Sequence, residues 1–192
     1  MASHGSSAPA ATPHGPVDWT EQERADIEAI AARFPTRRSA ILHVLWMAQA
    51  KWGWLSTDVL RRVGDTVGLP PSEVLAVASF YTMFKKQPTG TYLIQVCHTL
   101  SCALRGADQM VAHLEKILGV KCGETSADGK FTLMRVECLA SCGSAPMMQV
   151  NEDFYEFLTE AKLDEIITAF KTGKPLPTPR PEVDQWHWTA PS

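Results

Sequence analysis

Four of the five cysteines stand in two close pairs, Cys97-x4-Cys102 and Cys138-x3-Cys142, and grouped thiols of this kind point to metal or redox chemistry. Deprotonated, the four could surround two iron ions bridged by sulfide, or a single tetrahedral zinc ion. Structural zinc sites use pairs spaced x2 to x4, commonly x2. The spacings here lie at or near that upper limit, which tilts the choice towards iron–sulfur and leaves zinc open. A thioredoxin-type redox pair requires Cys-x2-Cys, which is absent. The remaining reading, four buried and unligated cysteines, needs two close pairs to arise by chance. Structural disulfides are not expected, because no export signal is visible and a reducing cytosol keeps thiols free.

Each pair follows a short apolar strand. Tyr92–Val96 runs straight into Cys97, and Phe131–Val136 leads to Cys138. Loops leaving strands have irregular backbone with free N–H groups, which thiolates bearing excess negative charge need as donors. Cys102 is expected to open a helix with Met110, Val111, Leu114, Ile117 and Leu118 on its inner face and Gly119 as its end. Gly143, directly after the last cysteine, would let the loop approach closely without a Cβ clash. Pro146–Val150 and Phe154–Leu158 read as a hairpin around Asn151-Glu152-Asp153. A last helix carries Leu163, Ile166, Ile167 and Phe170 and stops at Gly173. The order β-α-β-β-β-α implies an α/β fold, a mixed sheet covered by two helices.

Upstream, four amphipathic helices are expected. Thr20 and Glu23 form a capping-box pattern before Ile27, Ile30, Ala31 and Phe34. Ile41, Val44, Leu45 and Ala48 mark the second helix, which ends near Gly53. Ser56 caps the third, with Gly68 as terminator, and Ser72 is the expected cap of a fourth that runs through Val74, Val77, Ala78 and Tyr81 towards Pro88. None could stand alone, so residues 17–88 read as a small helical bundle and 89–174 as the cysteine-bearing domain. Residues 1–16, rich in Ser, Ala, Pro and Gly, are expected to be a disordered tail, and 175–192 an extended Pro-rich tail ending in Trp186 and Trp188. Those two tryptophans suit either a partner-docking segment or a tail folded on its own domain.

With 192 residues, 45% hydrophobic and 20% charged, the chain can bury a sizeable core. Net charge is −3: residues 1–88 hold nine Lys/Arg against eight Asp/Glu, and 89–192 nine against thirteen. No basic stripe tracks phosphates, which argues against nucleic acid as partner. The longest apolar run, Ile41 to Ala48, is interrupted by His43 and too short to span a bilayer. The N-terminus carries neither a signal-peptide pattern nor the arginines of a transit peptide, so a bacterial cytoplasmic location is expected. Neither Gly-x-Gly-x-x-Gly nor a P-loop pattern is present, so flavin or NADH is not expected on this chain alone.

Several separate segments resemble one family. Gly123-Glu124-Thr125, Asp128-Gly129-Lys130-Phe131-Thr132, Glu137-Cys138-Leu139-Ala140-Ser141-Cys142 and Ala145-Pro146 are similar, in order, to the 24 kDa subunit of NADH:ubiquinone oxidoreductase (complex I). Ala78-Ser79-Phe80-Tyr81-Thr82-Met83-Phe84 and Val96-Cys97-His98-Thr99 fit the same family, so the resemblance spans roughly residues 20–174. It implies a helical bundle followed by a thioredoxin-like ferredoxin domain with one [2Fe–2S] cluster on Cys97, Cys102, Cys138 and Cys142. It also implies a partner subunit carrying FMN and NADH, further iron–sulfur subunits, and a peripheral place on the inner face of the bacterial membrane. No residue is then needed as acid, base or nucleophile. One departure stands out: the family usually has Gly after Cys-Leu, where this chain has Ala140, and an Ala there calls for a negative φ. The same module occurs in soluble NAD-dependent hydrogenases and formate dehydrogenases, which are the alternative hosts. A reading of another class is a zinc-stabilised interaction module without redox function. Cys122 reads as a free thiol, His98 as a solvent-facing or supporting neighbour of Cys97, and Phe80, Tyr81 and Phe84 as core aromatics.

Overall fold

A computed structural model describes residues 15–174, which divide into two compact units over 15–88 and 89–174. The expectations for Trp186, Trp188 and most of both tails lie outside the described residues.

The first unit is helical. Helix α1 (Glu21–Ala31) opens with a complete capping box: the Glu23 N–H donates to the Thr20 hydroxyl at 3.2 Å, and the Thr20 N–H donates to Glu23 Oε2 at 2.7 Å. Helix α2 (Ile41–Trp52) is preceded by a 3-10 turn over Arg37–Ala40. Helix α3 (Thr57–Val67) is capped by Ser56 and closed by Gly68 in the left-handed conformation. Helix α4 (Pro71–Phe80) departs from expectation at both ends. Pro70 and Pro71 occupy its start instead of a Ser72 cap, since Pro at the first helical position gives up only an N–H that had no partner. The helix stops at Phe80, because Tyr81 turns to an extended conformation.

Trp19, Ile27, Val44, Leu45, Val59, Val63, Val74 and Phe84 fill the core between these helices. Phe80, expected inside, is 77% exposed, while Phe84 is buried. Gln49, buried on α2, holds the segment after α4: its Nε2 donates to Met83 O at 3.1 Å, and its Oε1 accepts from the Lys85 N–H at 2.6 Å.

The second unit is a four-stranded mixed sheet of order β2-β1-β3-β4, built from β1 (Tyr92–Cys97), β2 (Phe131–Val136), β3 (Met148–Val150) and β4 (Asp153–Tyr155). β1 pairs parallel with β2, and both β1–β3 and β3–β4 are antiparallel. The hairpin strands are shorter than expected, with Asn151 at the turn in the left-handed region (φ 53°). Its side chain stitches the turn to β1, accepting from the Leu93 N–H and donating to Thr91 O, both at 3.0 Å.

Parallel pairing requires a crossover. It consists of two helices rather than the single one expected: α5 (Leu100–Leu104) and α6 (Ala107–Leu118), separated by Gly106 at φ 93°. A last helix, α7 (Glu160–Thr172), packs on α6, and both close over Ile94, Val96, Leu133, Met148 and Tyr155. Strand alternation sends Val96 into this core and Cys97 to the opposite side, where it joins a small cluster with Cys102, Ala107, Ala145 and Met147. Among the described residues no helix is long and apolar enough to cross a membrane.

Candidate metal centre

The parallel register decides where the thiols go. Cys97 is the last residue of β1 and lies opposite Val136, the last of β2, so both strands deliver their cysteine loops to one edge of the sheet. The β1 loop turns at once into α5, whose third residue is Cys102. The β2 loop carries Cys138 and Cys142 before a 3-10 turn over Cys142–Ser144. Cys102 thus sits within a five-residue helix, not at the mouth of the long one, because Gly106 ends the first segment.

The two loops interlock. Cys97 lies 3.3 Å from the Thr99 hydroxyl, while burial and Thr99 act on it together with the Leu139 N–H from the other loop. Burial alone would raise the Cys97 thiol; these hydrogen bonds outweigh it and hold the thiol below its ordinary value. Its neighbour Cys102 is pushed up to about 11 by burial, with the Cys97 sulfur adding to the effect and the Met147 N–H opposing it. In the second pair the sulfurs of Cys138 and Cys142 are 3.5 Å apart. The Ala140 N–H donates to Cys138 at 3.3 Å and, with Cys142 and the Thr99 hydroxyl, lowers that thiol despite a small opposing cost of burial. Cys142 is raised, chiefly by Cys138, with the Ser101 hydroxyl opposing.

In each pair, then, one thiol gives up its proton readily and the other resists. Four negative sulfurs at this place would repel one another, and a cationic centre is what relieves the repulsion. The donor set fits a thiolate-bound metal centre, and the pairing of sulfurs suits two metal ions that take two thiolates each. Burial differs between the pairs: Cys97 and Cys102 are each 2% exposed, whereas Cys138 and Cys142 are exposed. Among the described residues no three His, Cys, Asp or Glu side chains are grouped tightly enough for a single ion.

One expectation for the β2 loop is corrected. Ala140 does not keep a negative φ; it sits at +64°, in the left-handed region that glycine occupies without penalty. Holding the Ala140 N–H against Cys138 places it there. Gly143 is not required by protein packing, since a Cβ at that position would meet nothing within 4 Å.

Cys122 stands apart from the four, half-buried against the sheet–helix core, its thiol raised by burial and its N–H donating to Glu115 at 3.0 Å. His98 pairs with Glu137 at 3.6 Å. Sequence reasoning passed over Thr99 and Ser101, whose adjacency to the cysteines was the available signal. It also passed over Glu156, which lies under the β2 loop and has no signal in the local pattern.

Residues 27–171 match the family described as thioredoxin-like [2Fe-2S] ferredoxin. The chain is 43% identical over 151 residues to a subunit of the NADH-quinone oxidoreductase of Rhizobium meliloti, covering 79% of this chain and 90% of that one. It is 40% identical to NADH-quinone oxidoreductase subunit 2 of Thermus thermophilus, over 78% and 84% of the two chains. It is also 41% identical to the mitochondrial NADH dehydrogenase [ubiquinone] flavoprotein 2 of Dictyostelium discoideum, over 84% and 67%. Among solved structures, an NAD+-reducing [NiFe]-hydrogenase shares the fold, with a TM-score of 0.62 at 24% identity. That match takes in 77% of this chain and about a quarter (24%) of the hydrogenase chain. On the family match and these relatives, the chain belongs to the thioredoxin-like [2Fe-2S] ferredoxin family.

Proposed function

We propose that Cys97, Cys102, Cys138 and Cys142 hold one [2Fe–2S] cluster, and that the chain is an electron-transfer subunit of an NADH:quinone oxidoreductase of the respiratory complex I type. The observation that carries this reading is the delivery of two thiol pairs to one sheet edge by a parallel strand pair, in a chain whose relatives bear that enzyme's name. When bound, the cluster supplies a carrier that takes up and returns one electron at a time.

The chain's own residues do the rest. The thiols of Cys97 and Cys138, both held low by hydrogen bonds, would be the readier of the four to serve as thiolate ligands. The Ala140 N–H and the Thr99 hydroxyl donate to sulfur and hold the ligand loops in place. Burial of Cys97 and Cys102 keeps water from that side of the site. No side chain serves as acid, base or nucleophile, and no nucleotide-binding motif is present. By its likeness to NADH-quinone oxidoreductase subunits, the chain works beside a partner subunit that carries FMN and NADH, with further iron–sulfur subunits beyond it and the whole complex peripheral on the inner face of the membrane. In this reading residues 17–88 form the helical bundle and 89–174 the cluster-bearing domain, with tails at 1–16 and 175–192.

A zinc-stabilised module is the reading of another class. One zinc ion could also take four thiolates; the match to a [2Fe-2S] family favours the binuclear cluster. The hydrogenase likeness is one of fold, so the quinone-linked host is preferred.

The test is visible absorption and low-temperature EPR of anaerobically purified protein, before and after dithionite, with each cysteine changed to alanine in turn. A red-brown, EPR-silent sample that gives a spin-½ signal on reduction supports the reading, provided that Cys97, Cys102, Cys138 and Cys142 each prove necessary and Cys122 does not. Colourless protein with stoichiometric zinc, even after reconstitution with iron and sulfide, sinks it.

A further inference from the structure

Among the described residues, four α-helices begin at a Ser or Thr, and three of those side chains do what that position favours. Thr20 accepts from the Glu23 N–H at 3.2 Å, Ser56 from the Val59 N–H at 3.3 Å and Thr159 from the Lys162 N–H at 3.2 Å. Thr99, at the start of α5, makes no such bond to its own helix. Its hydroxyl lies 3.3 Å from the Cys97 sulfur instead, and acts as well on Cys138 in the other loop.

The backbone beside the first cysteine of each pair is alike. The Ala140 N–H, two residues on, donates to Cys138 at 3.3 Å, and the Thr99 N–H, also two residues on, acts on Cys97. The side chains at these matching positions differ: Ala140 offers a methyl group, Thr99 a hydroxyl. Between a free thiol and a hydroxyl either atom can donate, but a metal-bound sulfur has lost its proton. Towards such a sulfur the hydroxyl serves only as donor.

We propose that Thr99 sets the reduction potential of the cluster: its hydroxyl donates to the Cys97 sulfur instead of capping α5, and so raises the midpoint. The inference deepens the reading that the four cysteines hold a [2Fe–2S] cluster, and rests on it. Reduction by one electron leaves more negative charge on the ligand sulfurs, so a donor beside one of them favours the reduced form. The proton stays on the Thr99 oxygen throughout. A hydrogen bond to a charged acceptor exceeds one to a neutral acceptor by about tenfold in an equilibrium, which scales the effect expected for one added charge.

The experiment is a redox titration, followed by EPR, of the full chain carrying its cluster. Thr99→Val keeps the branched shape and removes the hydroxyl; it is expected to lower the midpoint by about 59 mV, a tenfold change for a one-electron couple, with iron and sulfide content unchanged. Thr99→Ser keeps the hydroxyl and should hold the midpoint of the unaltered protein. Ser56→Ala removes a true cap in the helical unit, and should lower Tm while leaving the midpoint alone. A Thr99→Val midpoint equal to or above that of the unaltered protein overturns the proposal, as does a Thr99→Ser midpoint that falls with it or a Ser56→Ala midpoint that moves as far. If Thr99→Val takes up no cluster, Thr99→Ala decides by the same sign; if neither assembles, the hydroxyl is a structural part of the site and the proposal is overturned. Unaltered protein without iron and sulfide defeats the cluster reading itself; cluster-bearing protein with an unmoved Thr99→Val midpoint defeats only the inference about Thr99.

Discussion

Replacing Ala140 with glycine should stabilise the protein, although glycine usually weakens a fold. Ala140 is held at φ +64°, where its Cβ crowds the following carbonyl at a cost of roughly 1–2 kcal/mol. Glycine removes that cost but gains freedom in the unfolded chain, which returns about 0.4–1 kcal/mol. The Ala140 methyl is exposed, so no buried surface is lost, and the N–H to Cys138 is kept. The difference favours Ala140→Gly by roughly 0.5–1 kcal/mol, which for a chain of this size raises Tm by about 1–4 °C. Ala140→Val moves the other way, because a β-branched side chain at positive φ is a true outlier. Thermal unfolding of the cluster-loaded protein under anaerobic conditions, followed by circular dichroism and visible absorption, measures both. A glycine variant that melts below the unaltered protein, or a valine variant that melts with it, would refute the claim that the backbone at this position is strained.

The other predictions concern thiol reactivity, helix packing and pH. In metal-free protein, iodoacetamide should modify Cys138 first and Cys102 last, because Cys138 is exposed with a lowered thiol while Cys102 is buried and pushed up to about 11; mass spectrometry of timed samples reads the order. Gly64→Ala should destabilise by about 1–3 kcal/mol, not stabilise α3 by the ~1 kcal/mol that helix propensity alone promises. A Cβ there would stand 2.6 Å from Leu69 O, on a backbone tied by the Leu69 N–H to Gly64 O; urea unfolding gives the sign. Burial would raise the Glu23 carboxyl, but Lys51 and Thr20 hold it below the usual range. Stability from a depressed carboxyl is present above its unfolded pKa and lost as pH falls through the folded one. Glu23→Gln should therefore cost about 0.5–1 kcal/mol at pH 7 and almost nothing near pH 2, as denaturant midpoints at the two pH values will show.

Where a feature depends on neighbours in sequence, it was legible in advance. The Thr20–Glu23 box, the Ser56 cap, Gly68, Gly173 and the strand runs into Cys97 and Cys138 are local patterns, and each appears where expected. The four cysteines stood out by their spacing, and the family match agrees with the fold that the family resemblance implied. Most of the failures come from local backbone chemistry that outweighs the periodic pattern of apolar residues. Gly106 breaks the crossover into two helices, the pull of Cys138 on the Ala140 N–H sets a positive φ, and two prolines displace Ser72 at the start of α4. Glu156 reaches Ser141 only after the chain has turned back through β3 and β4, a separation that no periodicity encodes.

The parallel pairing of β1 and β2 also bears on how the protein is made. An antiparallel pair could have joined its two loops through a short turn, but a parallel pair must complete a crossover before its strand ends meet. Cys97 and Cys102 leave the ribosome with α6 and β2 still to come, and at about 5–20 residues per second Cys138 and Cys142 follow only seconds later. On the proposed ligand set, the nascent chain then exposes half of the site for that interval, two sulfurs with no counterpart to share an ion. Assembly of the centre is therefore tied to the slow, long-range step of sheet formation. Cells making this chain gain from a donor that delivers its iron and sulfide after the second strand is in place, and from keeping free soft metal ions scarce until then.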